Sequence, residues 1–384
     1  MAHSRKDYLN FTEIAIQMQI SEKEILMALS RVIDPDLKKD IVSLSMVEDV
    51  KVTDRQVSFT LVLTTPACPL KDQLRQECVQ AIHRYVTEDL SVDITFTSRI
   101  TSGRKKMTEI LPNVKNIICV ASGKGGVGKS TVAVNLAIAL ADNGSRVGLI
   151  DADIYGPSVP VMLGLKGQRP TVQQIQGKPQ IIPIEKYGIK VISIGFLVDE
   201  RQAIVWRGPM VSSALKQFFT DCHWEELDYL ILDLPPGTGD IQLTLAQTLP
   251  VTGAIVVTTP QEVALADVRK AIGMFRMDPI SIPIIGIVEN MAYFTPADAP
   301  DKRYYIFGQG GGQKIAAEYE LPLLGQIPVV EAICQSGDEG VPVFLKEDPR
   351  MIQAFRQLAA NTERYVAVSN FQRQQTGEMS PAAT

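Results

Sequence analysis

Gly123-Lys-Gly-Gly-Val-Gly-Lys-Ser130 is the stretch whose reading decides the fold. It fits G-x-x-x-x-G-K-[ST], a loop whose backbone N–H groups cradle nucleotide phosphates. In that pattern Lys129 faces the β- and γ-phosphates and the Ser130 hydroxyl faces Mg²⁺. Lys124 is a second lysine, which the pattern does not require. Working outward, Asn116-Ile-Ile-Cys-Val-Ala121 is an apolar run that reads as a strand, and Thr131 to Asp142 reads as a helix. Strand, glycine-rich loop and helix aim backbone donors and a helix N-terminus at a phosphate. The expected nucleotide-binding set is Gly123, Lys124, Gly125, Gly126, Val127, Gly128, Lys129, Ser130 and Thr131.

Beyond the loop, short apolar runs alternate with helical stretches. Arg146-Val-Gly-Leu-Ile-Asp151, Tyr229-Leu-Ile-Leu-Asp233, Gly253-Ala-Ile-Val-Val-Thr258 and Pro283-Ile-Ile-Gly-Ile-Val288 show no clean polar–apolar alternation. Strands buried on both faces look like this, so a mostly parallel sheet with helices on both sides is expected. Asp233 ends its run, as does an aspartate that holds a metal's water shell. Leu234-Pro-Pro-Gly-Thr-Gly-Asp240 follows, and Gly237 or Gly239 could offer an N–H to a γ-phosphate. Asp151-Ala-Asp153 ends another run. At the carboxyl edge of a parallel sheet such side chains point at the ligand. One can orient an attacking water and the other can sense Mg²⁺; plain capping is the alternative.

The first third of the chain reads differently. Ser21-Glu-Lys-Glu24 fits a capping box, and a helix over 21–37 is expected to stop at Asp34-Pro35-Asp36. Strands near 47–53 and 56–63, a helix from Pro69 to Thr87 and a strand from Val92 to Thr97 complete a small α+β domain. Residues 21–98 form this domain, 99–114 a polar linker with Gly103-Arg-Lys-Lys106 as a solvated tether, and 115–368 the nucleotide domain. Residues 369–384 form a Gln- and Ser-rich tail expected to be disordered. Residues 1–20 carry no readable signal.

Composition sets the outer bounds. Of 384 residues, 45% are hydrophobic and the net charge is −5, so no global basic field favours nucleic acid or anionic lipid. The start of the chain lacks an apolar signal core, and no run approaches the length of a membrane span. Five scattered cysteines without a C-x-x-C pair fit a reducing cytoplasm. Cys119, in a central strand, and Cys78, mid-helix, read as core. Cys222 and Cys334 give no signal, and the Cys222-His223 pair reads as surface chance.

Together, the loop with both lysines, Asp151-Ala-Asp-Ile-Tyr-Gly-Pro-Ser158, Trp206-Arg-Gly-Pro-Met210, Asp233–Asp240, Thr259-Pro-Gln261 and Glu289-Asn-Met291 resemble the Mrp-type iron–sulfur cluster carrier ATPases. These belong to the MinD/ParA branch of P-loop NTPases. Residues 21–98, with Asp34-Pro-Asp36, Asp40-Ile-Val42 and Leu63-Thr-Thr-Pro-Ala-Cys-Pro69, resemble the small domain of iron–sulfur assembly factors.

The resemblance implies a cytoplasmic homodimer that binds ATP with Mg²⁺, hydrolyses it slowly and transfers iron–sulfur clusters to apo-proteins in concert with assembly factors. In such dimers Lys124 would reach the partner's phosphates, Asp153 would position water and Asn290 would contact adenine, unless Asn290 is a turn residue. The C-x-x-C usual between the Asn-Met segment and Phe307-Gly-Gln-Gly-Gly-Gly312 is missing; residues 292–306 hold no cysteine, and Asp298 and Asp301 are poor substitutes.

Cys68, in a Pro-Ala-Cys-Pro turn before a helix, is then the remaining candidate ligand; burial as a small apolar group is its alternative. Three rival readings follow. The first is an ATP-driven scaffold that carries no cluster. The second is a positioning ATPase that binds membrane or DNA. The third is a reductase resembling nitrogenase iron protein, which needs cluster cysteines in the nucleotide domain.

Overall fold

Successive residues of a strand point to opposite faces of its sheet. In β4 (Val114–Ser122), Ile117, Cys119 and Ala121 join one core while Ile118 and Val120 join the other. That double burial explains the unbroken apolar runs. The computed structural model describes residues 20–376 apart from 54, 103, 105–109, 155, 198–207, 240–241, 243–248, 279, 297, 300–301 and 347. The described residues divide into two compact units: those up to Val62 with Leu70–Thr97, and Leu63–Pro69 with those from Ser98 onward.

In the smaller unit, β1 (Val47–Val52), β2 (Gln56–Leu63) and β3 (Ser91–Ser98) form a sheet in that order, with α1 (Glu22–Leu29) and α2 (Lys71–Tyr85). The capping box forms: the Ser21 hydroxyl accepts the Glu24 N–H at 3.3 Å, and the Glu24 carboxylate accepts the Ser21 N–H at 2.8 Å. The helix expected over 21–37 is shorter than that. It ends at Leu29, and the Asp34 carboxylate takes the N–H groups of Asp36 and Leu37 at 2.9 and 2.8 Å. The helical ladder stops where the Arg31 and Val32 N–H groups turn to the carbonyls three residues back, of Ala28 and Leu29.

The larger unit is built on an eight-stranded sheet. Besides β4 it contains β5 (Val147–Asp151), β8 (Ile184–Lys186), β9 (Ile189–Ser193), β10 (Leu227–Asp233), β11 (Gly253–Thr258), β12 (Ile284–Phe294) and β13 (Leu323–Val329), in the order β13-β12-β11-β4-β10-β5-β9-β8. Only β8 pairs antiparallel to its neighbour. The separate hairpin of β6 (Thr171–Ile175) and β7 (Lys178–Ile182) lies outside this sheet.

In chain order the helices are α3 (Lys129–Asp142), the one-turn α4 (Val159–Met162), α5 (Gly208–Thr220), α6 (Glu262–Arg276), α7 (Gly311–Glu318), α8 (Glu331–Glu339) and α9 (Pro349–Gln375). One core joins the sheet to α5 and α6 through Leu215, Phe218, Leu265 and Phe275, and the other joins it to α3 and α9 through Leu136, Leu140, Phe355 and Leu358.

Two sequence expectations fail here. Of the stretch expected to be a solvated tether, Arg104 is not solvated: its buried guanidinium donates to the carbonyls of Val114 at 2.7 Å, Ile110 and Leu111. The tail is not disordered from 369, because α9 continues to Gln375. Asn370 is buried there, and its amide donates to Asn116 Oδ1 at 3.0 Å and to the Thr101 carbonyl at 3.2 Å. Residues 1–19 and 377–384 lie outside the described residues, as do Lys105, Lys106, Trp206, Arg207, Asp240 and Asp301.

Candidate functional site: a phosphate loop among strand-end aspartates

Between β4 and α3 the chain turns through Gly126 and Gly128, both left-handed at φ +82° and +79°. A side chain is strained in that region, and glycine is not. Gly123 is required for a different reason. A Cβ there would lie 2.3 Å from the carbonyl carbon of Asp267 and 2.6 Å from the nitrogen of Val268, main-chain atoms of α6. The Ser122 hydroxyl closes the loop from below by donating to the Lys124 carbonyl at 3.0 Å.

Asp151 and Asp233 end adjacent strands in the same register, and Asp233 pairs with Val120 on its other side. This places both carboxylates beside the loop. The Lys129 ammonium lies 2.6 Å from Asp233 Oδ1, 3.4 Å from Asp153 Oδ2 and 3.2 Å from the Ser130 hydroxyl, and the residue is 6% exposed. Burial holds the Asp233 carboxyl above its usual range, although Lys129 opposes this. Asp151 is pushed up to about 8, first by burial and then by the charge of Asp233.

The donor set fits a hard cation such as Mg²⁺, which takes oxygen ligands. Asp233 Oδ2 and Asp153 Oδ1 are buried and have no hydrogen-bond partner among the described residues. Asp151 differs, because its oxygens are engaged by the chain itself. They accept from the Ser193 hydroxyl at 2.9 Å and from the N–H groups of Asp153 at 3.1 Å and Val159 at 3.3 Å.

The loop after β10 is held against the phosphate loop. The Gly237 N–H, a candidate phosphate donor, donates to the Ser122 carbonyl at 2.9 Å. The Gln242 amide, buried, donates to the carbonyls of Pro235 at 2.7 Å and Gly237 at 2.8 Å. Nothing in the residue pattern singles out Gln242; only a fold that brings it back over Pro235 reveals it. Ser193 was missed for the same reason.

Asn290 supports the loop from behind. Its amide donates to the Val127 carbonyl at 2.8 Å, and a Cβ on Gly128 would lie 2.2 Å from that nitrogen. The neighbouring Glu289 is fully buried and accepts from Gln326 Nε2 at 2.8 Å and from the Gly312 N–H. The two flanking motifs of the cysteine-free interval therefore meet in one contact. Lys124 is half-buried, and its ammonium has no hydrogen-bond or ion-pair partner among the described residues.

The described ends of the interval pair with each other. Phe294 and Tyr304 exchange both main-chain hydrogen bonds at 2.8 Å, and Arg303 lies 4.4 Å over the Tyr293 ring. Tyr304, Tyr305 and Ile306 are exposed. Cys68 is half-buried in the loop ahead of α2 and is not in a disulfide. Cys78, Cys119 and Cys222 are buried, and burial pushes each thiol up to about 12. Among the described residues no group of three or more His, Cys, Asp or Glu side chains could hold a metal ion.

Residues 113–363 match the family described as NUBPL iron-transfer P-loop NTPase, and residues 22–94 match the iron–sulfur cluster assembly protein family. The chain is 47% identical to an iron–sulfur cluster carrier protein of Synechocystis sp., over 84% of this chain and 91% of that protein. It is 45% identical to a chloroplastic Fe-S cluster assembly factor of Arabidopsis thaliana, over 86% of this chain and 61% of that one. Among solved structures, an ADP complex of a nucleotide-binding protein from Archaeoglobus fulgidus aligns with a TM-score of 0.55 and 37% identity, covering 64% of this chain and 93% of that one.

Proposed function

The chain belongs to the iron–sulfur cluster carrier family of P-loop ATPases, and we propose that it works as a homodimer that hydrolyses Mg-ATP slowly while passing clusters to apo-proteins. Its setting in this reading is the cytoplasm, with cluster assembly factors as further partners. The observation that carries the dimer is Lys124. A half-buried lysine in the phosphate loop, whose ammonium has no partner among the described residues, fits a charge that a second copy's nucleotide completes.

The roles follow from the contacts. Lys129 exchanges Asp233 for the β- and γ-phosphates, where it stabilises the charge that develops on transfer. Ser130 and Asp233 would hold Mg²⁺, which supplies charge neutralisation across the same phosphates. Asp153, released from Lys129, orients the attacking water. Asn290 holds the loop in shape through the Val127 carbonyl, and in this reading it also contacts the adenine.

A specific observation favours a second reading. The sequence of 292–306 offers no thiolate, so an ATP-driven scaffold that carries no cluster of its own is the alternative. Membrane or DNA positioning would draw on a basic face, and the chain carries a net charge of −5. Co-sedimentation with liposomes and with DNA in the presence of ATP tests that reading directly.

The dimer is tested by mixing chains. Lys124→Ala and Lys129→Ala homodimers should both be inactive. A mixed dimer should recover turnover at one site, where an intact Lys129 meets the partner's intact Lys124. Normal hydrolysis by Lys124→Ala at every protein concentration would overturn the homodimer reading.

A further inference from the structure

Ser193 ends β9 in register with Asp151, fully buried and with an extended backbone. Its oxygen accepts the Gly195 N–H at 2.9 Å, which leaves its hydrogen to point at Asp151 Oδ2, also 2.9 Å away. The same carboxylate accepts from two sites on one loop: Oδ1 takes the N–H of Asp153 and Oδ2 takes the N–H of Val159. The segment 152–158 thus leaves and returns to a single side chain. Its first residue is also fixed across the sheet, since the Ala152 N–H donates to the Asp233 carbonyl at 3.0 Å.

We propose that Ser193 is a positioning residue for ATP hydrolysis: its hydroxyl sets the orientation of Asp151, which closes the 152–158 loop and thereby aims Asp153. This rests on the reading of Asp153 as the water-orienting group. Ser193 does not reach the reacting atoms. It acts on a carboxylate that would otherwise be held only by two main-chain donors on the very loop it is meant to fix. Small displacements matter at such a site, because a shift of about 1 Å in a reacting group can cost ~100-fold in rate. Nucleotide binding is a separate matter, since it depends on Gly123–Thr131, and the hydrogen bonds of the Ser193 hydroxyl go to Asp151 and Gly195 instead.

The test compares Ser193→Thr with Ser193→Val. The two side chains have the same shape and differ in the hydroxyl, so the cost of the added methyl cancels between them. Single-turnover hydrolysis, ATP affinity by equilibrium titration and thermal melting are measured for both. Ser193→Val should hydrolyse about tenfold more slowly than Ser193→Thr, with ATP affinities within about twofold of each other. Equal rates in the two variants would overturn the proposal. So would a loss in Ser193→Val that falls on affinity as much as on turnover.

If the valine variant does not fold, Ser193→Ala against wild type is read by the same split. Asp153→Asn is run alongside. If it hydrolyses as fast as wild type, the role given to Asp153 fails. If it is slow while threonine and valine are equal, only the role of Ser193 fails.

Discussion

Lys129 is held by groups that arrive from three places in the chain: Ser130 beside it, Asp153 just beyond β5 and Asp233 at the end of β10. Removing one partner of a buried ion pair leaves the remaining charge without compensation, at a cost of about 3–5 kcal/mol. Lys129→Ala should therefore have two effects. ATP hydrolysis should fall to background, because the site loses its own lysine on the β- and γ-phosphates and the partner's Lys124 and Mg²⁺ do not replace it. The melting temperature without nucleotide should also fall, because Asp233 and Asp153 lose the ammonium they share. Steady-state turnover and a thermal melt on the same preparation check both, and unchanged turnover would remove the phosphate-loop assignment.

At this scale the sequence was highly legible where backbone conformation and charge are written in the residues themselves. Glycines at left-handed positions, a lysine before a serine and aspartates after apolar runs can all be read without coordinates. Gln242 and Ser193 could not, because a lone polar residue acquires meaning only from what packs over it.

Elements were legible where burial is two-sided or amphipathic, and less so at their ends. The apolar runs at 146–151 and 229–233 read as strands of a covered parallel sheet, and they lie in β5 and β10, which pair in parallel. α1 ends well before Asp34-Pro35 because the Arg31 and Val32 N–H groups turn to the carbonyls three residues back, of Ala28 and Leu29, and the helical ladder stops there. The extent of α9 was misjudged because Gln and Ser content suggested solvent, whereas Val366, Ala367 and Asn370 face the protein.

The same helix carries a pH-sensitive group. Glu363 is fully buried, and burial pushes its carboxyl up to about 7 from an ordinary 4.5, against hydrogen bonds from Ser145 at 3.1 Å and Asn143 at 3.4 Å. A carboxyl with a raised folded-state pKa favours the fold while protonated. Its contribution is fully present below pH 4.5 and is lost as pH rises through about 7. The upper bound on that loss is of the order of 3 kcal/mol. Glu363→Gln, which keeps the shape and removes the charge, should melt higher than wild type at pH 8 and show a shallower pH dependence between pH 5 and 8. Equal melting curves at pH 8 would mean that the charge carries no penalty there.

For the whole molecule the question is where a cluster could sit. Both the ATPase unit and the small assembly-type unit belong to families named for iron–sulfur chemistry, yet the thiols are poorly placed for a conventional site. Three of the five cysteines are buried with thiols pushed up to about 12, so they are not thiolates near neutral pH. The interval 292–306 after Glu289-Asn-Met291 holds no cysteine, and Tyr304, Tyr305 and Ile306 are exposed there.

Cys68 is half-buried and precedes a helix, which makes it the best remaining ligand. A homodimer brings two such thiolates, and an iron–sulfur cluster usually takes four. A client thiol or a small-molecule thiol must then complete the set, so a cluster bound this way should be labile and quickly transferred. Wild type and Cys68→Ala are to be reconstituted in parallel with iron and sulfide under argon. Wild type should develop visible charge-transfer absorbance that Cys68→Ala lacks, while both hydrolyse ATP equally. Equal uptake by the two would exclude Cys68 as the ligand. No uptake by either, with hydrolysis intact, would leave the ATP-driven scaffold as the account of this chain.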